Sequence, residues 1–340
     1  MNNYYQQPDF NQNNFNEAAM RNMYFINKAK LERKQIRTLG NILGIVITAF
    51  VAVQFISSFV LQGFGLYDLY YSSSLFQTCY NIIAIDFFGI VLPFGVMALL
   101  NKKRYESELI PTAKLPFGRL CLWVGFGMLC CICADYIVGI MTVIFSAAGH
   151  ELIQPEMPET NSLLTCIAGV IGTAVVPAVC EEFAMRCCGL GMLRKYGKAF
   201  GVICISMLFG LMHGNVIQFV FATLVGIILG FVTVKTNSVI PAVLIHMFNN
   251  GMSVCSDVVT YFIGEKAGET STYICFLFWF AVGAVCTIAL AVKGYFKKSV
   301  NTQNEPYSNS LGIKISSFFF VPGMIVPFLF FVIMTITSIE

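Results

Sequence analysis

The stretch "VVPAVCEEFAMRCCGLGMLRKYG" (residues 175–197) begins as an apolar helix and then carries two adjacent carboxylates, Glu181 and Glu182. Arg186 follows Glu182 at the four-residue spacing of one helical turn. A charged side chain at the centre of a bilayer costs at least about 2.5 kcal/mol, so such residues are normally kept for pairing, binding or reaction. The stretch therefore predicts a membrane helix that contains a functional site.

The composition of the whole chain indicates the same environment. Of the 340 residues, 57% are hydrophobic and only 11% are charged. These values are typical of a polytopic membrane protein, and they predict an all-α, transmembrane helical bundle of eight to nine spans in contact with the lipid bilayer. A formal net charge of +3 gives no indication of a nucleic-acid partner.

Residues 1–36 begin with an Asn/Gln-rich segment, which predicts a disordered polar cytoplasmic tail before a transmembrane domain over 37–340. Nine segments have the apolar character of spans: 39–61, 78–100, 120–145, 163–193, 199–212, 216–234, 239–262, 273–292 and 315–336.

The basic residues predict the orientation of these spans. Six of them precede the first span: Arg21, Lys28, Lys30, Arg33, Lys34 and Arg37. Another group lies between the second and third spans: Lys102, Lys103, Arg104, Lys114 and Arg119. The first loop and the loop 149–161 contain none, so the positive-inside rule places the N-terminus in the cytoplasm and the C-terminus outside. The compact size and polar tail are interpreted as those of a bacterial cell-membrane protein.

The polar residues of the later spans fall at helical spacing. Two of the three histidines, His213 and His246, lie in or at the edge of spans, whereas His150 lies in a predicted loop. Asn250 follows His246 by one turn, and Phe209 precedes His213 by one turn. Each pair therefore shares a helix face, which favours a polar site between helices.

Counting along the chain predicts which of these groups are level in the membrane. Glu181 lies sixteen residues before Gly197 and His213 sixteen residues after it. At a rise of 1.5 Å per residue each lies about 24 Å from a turn at Gly197, so an antiparallel hairpin brings them together. Pro177, one turn before Glu181, predicts a bend that opens space for a buried water.

Cysteines near the motif and in an earlier span are less favoured as functional residues. Cys180, Cys187 and Cys188 flank the motif, but an apolar helix keeps cysteines as unreactive thiols, which disfavours cysteine catalysis. The Cys-x-x-Cys spacing at Cys130 and Cys133 lies mid-span without a second ligand pair, so packing is the favoured interpretation.

A different class of protein also fits a buried Glu, Arg and His. An ion- or proton-coupled transporter, or a bacteriocin-immunity binding protein, uses such groups as a relay or binding site. Asp86, Asp135 and Asp257 are candidate members of such a relay, although hydrogen bonding between helices or an interfacial position is the favoured interpretation for each.

Three motifs together carry a resemblance to a known family. They are "EEFAMR" (181–186), "FGLMH" (209–213) and "HMFNN" (246–250), in that order on consecutive predicted helices. They resemble the Glu-Glu-x-x-x-Arg, Phe-x-x-x-His and His-x-x-x-Asn motifs of the CPBP family, the CAAX proteases and bacteriocin-processing proteins, also called the Abi family. The resemblance covers residues 161–262.

The resemblance implies an intramembrane endopeptidase, similar to type II CAAX prenyl endopeptidases, acting on a peptide or protein substrate, including a membrane-associated one. By matching positions, Glu181 and His213 would activate the attacking water, and His246 and Asn250 would stabilise the oxyanion. Glu182 and Arg186 would form a structural ion pair.

Metal dependence is a separate question, because members of this family are commonly labelled metalloproteases. Glu181, His213 and His246 form the one-carboxylate, two-histidine set that catalytic zinc accepts. No His-Glu-x-x-His helix is present, however, and both histidines have a metal-free role. We favour a glutamate-type hydrolase without a cofactor, with zinc as the alternative.

Overall fold

The computed structural model describes residues 10–101, 111–152, 158–297 and 309–339, and within these ranges it is helical without a strand. The α-helices, in chain order, are α1 (Phe10–Gly63), α2 (Tyr67–Ser72), α3 (Ser74–Asn81), α4 (Leu92–Asn101), α5 (Phe117–Ala147), α6 (Leu163–Gly169), α7 (Val176–Glu182), α8 (Leu190–Leu193), α9 (Lys198–Leu211), α10 (Val216–Thr236), α11 (Ile240–Ile263), α12 (Glu265–Val292), α13 (Leu311–Phe319) and α14 (Ile325–Thr337). Three π-helical segments interrupt this order: π1 (Ile82–Val91), π2 (Val170–Val175) and π3 (Phe183–Gly189).

Six helical stretches in the described part of the chain are long and apolar enough to cross a membrane: Met20–Gly63, Ser74–Asn101, Phe117–Ala147, Leu163–Tyr196, Val216–Thr236 and Glu265–Val292. A seventh is reached if the bent pair Leu311–Phe319 and Pro322–Thr337, which meet at 67°, is one broken span. The chain is an integral membrane protein with an all-helical fold, but the predicted eight to nine spans are not confirmed.

Two helices account for the difference in span number. The helix α9 has 14 residues, which gives a length of about 21 Å against a hydrocarbon core of about 30 Å. The helix α11 is long enough, with 24 residues, but its polar residues, among them His246 and Asn250, lower its mean hydropathy. Most of α9 is buried, and α11 packs against α5, α7, α10 and α12, which keeps its polar groups from lipid.

Residues 10–36 form the first part of α1, where the sequence predicts a disordered tail; residues 1–9 lie outside the described residues. The carboxylate of Glu32 forms a 2.9 Å ion pair with Lys314 and accepts a hydrogen bond from Asn309 Nδ2. Ile36, one turn after Glu32, is completely buried. These contacts with α13 are long-range, so the local polarity of the tail did not indicate them.

The membrane part of α1 packs closely against the break between α13 and α14. Gly40 and Gly44 form a Gly-x-x-x-Gly spacing, and a Cβ at either would collide with the backbone of Phe318 or Gly323. Asn41 Oδ1 accepts a 2.8 Å hydrogen bond from the backbone N–H of Gly323. Small residues that allow close backbone approach are a usual device for packing helices in lipid.

The apolar core consists of two clusters. One joins α1, α4, π3, α9 and α13, and the other joins α5, α10, α11 and α12. Phe209 belongs to the first cluster and Ile245 to the second. Because Phe209 and Ile245 adjoin the polar motifs of α9 and α11, the candidate site lies where the two clusters meet. Large apolar side chains elsewhere, such as Leu99, Val143 and Leu277, are exposed on the outside of the bundle, as a lipid-facing surface requires.

Candidate active site

An antiparallel hairpin brings the first two motifs together. The chain runs through α7, π3 and α8 to Gly197, whose φ of 137° favours glycine, and returns as α9. Across this hairpin the Arg186 guanidinium lies 5.1 Å from the ring centre of Phe209. Glu181 precedes Arg186 on the first arm of this hairpin, and His213 follows Phe209 at the end of the second arm.

The carboxylate of Glu182 is the centre of the buried polar cluster. Its side chain has no exposed surface. Its Oε2 lies 3.1 Å from Arg186 Nε, one turn along the same helix. Its Oε1 accepts a 3.0 Å hydrogen bond from Nδ1 of His246 on α11. Glu182 thus has two partners, where the sequence predicts only Arg186.

Arg186 is held on three sides. Besides Glu182 and the face of Phe209, its Nη2 lies 3.5 Å from the carbonyl oxygen of Gly226 on α10. A Cβ at Gly226 would approach Ser206 of α9 to about 3.0 Å, so the absence of a side chain allows α9 and α10 to approach closely. A guanidinium that is only 1% exposed is therefore surrounded by an anion, a carbonyl and an aromatic ring.

His246 lies between the two adjacent carboxylates. A carboxylate can only accept, so the contact with Glu182 places a proton on Nδ1 and turns Nε2 away from it. Nε2 lies 3.7 Å from Oε2 of Glu181. The side chain of Glu181 is 18% exposed, unlike the enclosed Glu182. Glu181 is therefore the carboxylate that a water or a substrate can reach.

The second histidine, His213, contacts the same aromatic ring as His246, that of Phe209. Its Nδ1 lies 2.8 Å from the backbone carbonyl oxygen of Phe209, which assigns the Nδ1 proton to that contact. The Phe209 ring centre is 5.0 Å from the His213 ring and 6.0 Å from the His246 ring. The Nε2 of His213 is left as its reactive nitrogen.

Asn250 is positioned by a carbonyl that a proline releases. Pro177 has no N–H to donate to the carbonyl four residues earlier, which is that of Thr173 in π2. Asn250 Nδ2 donates a 3.1 Å hydrogen bond to this carbonyl. Pro177 thus follows directly after a π-helical segment, and the carbonyl that it releases is the acceptor that fixes Asn250 one turn after His246.

Asp86 is a further carboxyl close to the cluster. It lies on π1, which packs against α7, and it is only 8% exposed. It is near enough to Glu181 for their charges to interact. Within the described residues it forms no hydrogen bond or ion pair, although the sequence favours an interhelical hydrogen bond or an interfacial position. Asp135 and Asp257 have no such interaction with Glu181 in the described part of the chain.

The cysteines do not join this cluster. All 13 are free thiols; Cys187 and Cys188 are buried, and Cys188 belongs to the first apolar cluster. Cys180 is partly buried, and no hydrogen bond connects it to a histidine in the described residues.

The arrangement does not fit a metal centre. Among the described residues, no three His, Cys, Asp or Glu side chains are placed to hold a metal ion. In the predicted zinc set, Nδ1 of His246 binds Glu182, Nδ1 of His213 binds the carbonyl oxygen of Phe209, and both histidine rings pack edge to face against Phe209. We therefore derive no step through a metal.

Sequence reasoning missed three partners of the motif residues: the bond from His246 to Glu182, the carbonyl of Gly226 beside Arg186, and the carbonyl of Thr173 beside Asn250. Pro177 indicates the Thr173 carbonyl, because a proline has no N–H to donate to the carbonyl four residues earlier. No local pattern indicates the first two, because they join residues 64 and 40 positions apart.

Comparison with known proteins gives one match. Residues 163–252 match the family model described as Rce1-like, type II CAAX prenyl endopeptidase Rce1-like. The matched segment runs from α6 into α11 and contains all seven motif residues, so the resemblance of the motifs is confirmed. Comparison of the chain with curated proteins and with solved structures gave no significant match.

Proposed function

Starting from the match of residues 163–252 to type II CAAX prenyl endopeptidases, we propose that this chain hydrolyses a peptide bond of a peptide or protein substrate within the membrane. One observation supports this most directly. The His246 ring lies between Glu182, at 3.0 Å, and the more accessible Glu181, at 3.7 Å. An accessible carboxylate beside a positioned imidazole suits both activation of water and stabilisation of an oxyanion.

Glu181 is the general base in this proposal. It takes a proton from a water that it holds together with Nε2 of His213, and the water oxygen attacks the peptide carbonyl carbon. As the carbon–nitrogen bond breaks, the same proton passes to the leaving amine. Proton transfer by a positioned group contributes about 10²–10⁴ in rate.

His246 and Asn250 stabilise the oxyanion. To donate through Nε2 as well as Nδ1, His246 must carry both protons. The cluster then contains two anions, Glu181 and Glu182, and two cations, Arg186 and His246, so its net charge is zero. Asn250 has one amide hydrogen on the Thr173 carbonyl and a second one available for the developing negative charge.

Glu182 and Arg186 position the reacting groups without touching the substrate. Glu182 orients the His246 ring and balances its charge, and Arg186 holds the other oxygen of that carboxylate. Glu182 is therefore more than the partner of Arg186, because it connects α7 to the catalytic ring of α11.

The assay uses purified full-length protein in proteoliposomes, with a farnesylated CAAX-type peptide and a set of unmodified quenched peptides as substrates. Both cleavage products are identified by mass spectrometry. We expect Glu181→Gln to lower kcat at least about hundredfold with an unchanged melting temperature. Glu265→Gln, an exposed carboxylate at the start of α12, is the matched control and should behave as wild type.

Near-normal turnover by Glu181→Gln would contradict this mechanism. If no peptide is cleaved, and proteoliposomes instead show potential-driven uptake that depends on Glu181, the chain is a transporter. Binding of a bacteriocin without cleavage would indicate an immunity protein.

We propose further that hydrolysis requires no metal. Elemental analysis of active protein should find well under one zinc per chain, and chelators should leave kcat unchanged. About one zinc per chain, with activity lost on chelation and regained with zinc, would make Glu181, His213 and His246 the ligands instead.

The proposed location is a bacterial cell membrane with the N-terminus in the cytoplasm, supported by the basic residues before the first span. Labelling of single cysteines introduced near each terminus, with a membrane-impermeant reagent on intact cells, tests this orientation. If a cysteine near the N-terminus is labelled from outside, the N-terminus faces outside and the proposed orientation is wrong.

A further inference from the structure

A groove lined with cations lies beside the segment of α1 that leads into the membrane. Four basic residues lie on one face of this helix at i, i+3, i+4 and i+7: Lys30, Arg33, Lys34 and Arg37. Together with Thr38, Asn41 and Ser317 of α13, they line an open groove of about 400 Å³. The groove thus combines positive charge with neutral hydrogen-bonding groups.

Among the residues that the structure describes, no carboxylate forms an ion pair with this face of α1. Glu32 is the only acidic residue between positions 21 and 67. At 100° per residue it points to the opposite side of α1, where it forms its ion pair with Lys314. Within the described residues, the four cations of the groove have no ion-pair partner, so their charge remains available to a ligand.

The walls of the groove are fixed by the packing of α1 against the C-terminal helices. Asn41 binds the backbone of Gly323, and Gly40 and Gly44 bring the two backbones together. The Lys314 ammonium is anchored between Glu32 and the carbonyl oxygen of Tyr196. The groove therefore lies at a closely packed junction between α1 and the C-terminal helices.

The position of the groove indicates which anion fits it. The cations lie directly before the apolar run of α1, which begins at Leu39, and therefore at the depth of lipid headgroups. On the same helix face, one turn beyond Asn41, Ile45 is 64% exposed. A molecule with an anionic head and an apolar tail would contact both regions, whereas a soluble anion would contact only the first.

We propose that this groove binds the phosphodiester headgroup of an anionic phospholipid, with an acyl chain lying along α1 at Ile45. Clusters of Lys and Arg next to a membrane helix attract anionic lipids, with each cation contributing separately. The Arg guanidinium groups can bind the phosphate oxygens in pairs, and Thr38 and Ser317 can bind the glycerol oxygens.

The test measures lipid binding by the purified full-length chain in detergent, by native mass spectrometry with phosphatidylglycerol or phosphatidylcholine added. The variant is Arg33→Gln, Lys34→Gln and Arg37→Gln combined. The control removes three exposed lysines elsewhere, Lys114→Gln, Lys198→Gln and Lys293→Gln. We expect wild type to prefer phosphatidylglycerol, the groove variant to bind it on the order of a hundredfold more weakly, and the control to resemble wild type.

Equal loss in both triple variants, or no loss in the groove variant, would overturn the proposal. Inorganic phosphate that displaces the lipid at comparable concentration would assign the groove to a soluble anion instead. If the groove variant does not fold, photo-crosslinking of wild type with a photoactivatable phosphatidylglycerol tests the proposed lipid site. Adducts should fall on peptides covering 30–45 and 311–319, and adducts confined to other helices would refute the assignment.

Discussion

Glu182 and its partners set the balance of charge in the core of the bundle. Both of its oxygens have cationic or hydrogen-bonding partners, Arg186 and His246, and its side chain is completely enclosed. Removing one partner of a buried charge costs about 3–5 kcal/mol, because the other charge is left desolvated. The cost of a substitution therefore depends on which member is removed, because Glu182 has two partners, Arg186 and His246.

We expect Glu182→Gln to destabilise the protein more than Arg186→Met. The first leaves the Arg186 guanidinium buried without an anion beside it, whereas the second leaves Glu182 paired with His246. The double variant Glu182→Gln/Arg186→Met should recover part of the stability lost in Glu182→Gln. Melting temperatures in detergent measure this order.

If Arg186→Met lowers the melting temperature more than Glu182→Gln does, His246 does not balance the charge of Glu182 when Arg186 is lost. The kcat of Glu182→Gln should also fall, since the orientation of His246 is lost. A folded Glu182→Gln variant with wild-type kcat would remove Glu182 from the positioning role.

Among the structural elements, the π-helical segments are closely associated with the site. Asp86 lies in π1, Thr173 in π2 and Arg186 in π3. A π-helical turn leaves backbone groups and side chains out of the regular α register, and such turns are frequent at functional sites. The clearest case is the junction of π2 with α7, where Pro177 releases the Thr173 carbonyl to Asn250.

We expect Pro177→Ala to lower kcat about tenfold while leaving the melting temperature equal or higher. The new N–H can bind the Thr173 carbonyl, which weakens the contact that positions Asn250, while the helix loses an unfavourable proline. Pro116→Ala is the control, because Pro116 stands at the N-cap of α5 where no helical N–H is needed. Unchanged kcat in Pro177→Ala would show that this carbonyl does not position Asn250.

At the scale of the whole molecule, segments near the two ends of the chain contact the turn of the hairpin that carries Glu181 and His213. Lys314 of α13 binds the carbonyl of Tyr196, next to Gly197, and pairs with Glu32 of α1. The Tyr196 hydroxyl lies 3.3 Å from Gln35 Oε1. The hairpin that carries Glu181 and His213 is therefore held from segments outside the family match.

We expect Gly44→Ala to lower the stability of the whole protein by about 1–3 kcal/mol, because the added Cβ meets the backbone of Gly323. Gly139→Ala in α5 is the matched control, since a Cβ there meets nothing within 4 Å. Denaturant or thermal unfolding in detergent measures both. Equal stability of the two variants would mean that α1 and the C-terminal helices do not pack as closely as described.

The sequence by itself determined what depends on local spacing and composition. Apolar runs predicted a helical membrane protein, the four-residue spacing predicted the pairing of Glu182 with Arg186, and the position of Pro177 predicted a released backbone carbonyl. Equal distances from Gly197 predicted that α9 returns antiparallel to the helix that carries Glu181, as the Arg186–Phe209 contact confirms. These features could be predicted because each follows from helix geometry within a short segment.

Only the tertiary structure decided which groups meet across helices. The contact of Glu182 with His246, the carbonyl of Gly226 beside Arg186 and the position of Asp86 near Glu181 depend on how α7, α10, α11 and π1 pack together. The span number also depended on packing, because α9 is too short and α11 too polar to count as a span, and both pack against other helices. Side-chain periodicity specifies which face of a helix is polar, but the helix that covers that face is selected by close packing of small residues distant in sequence.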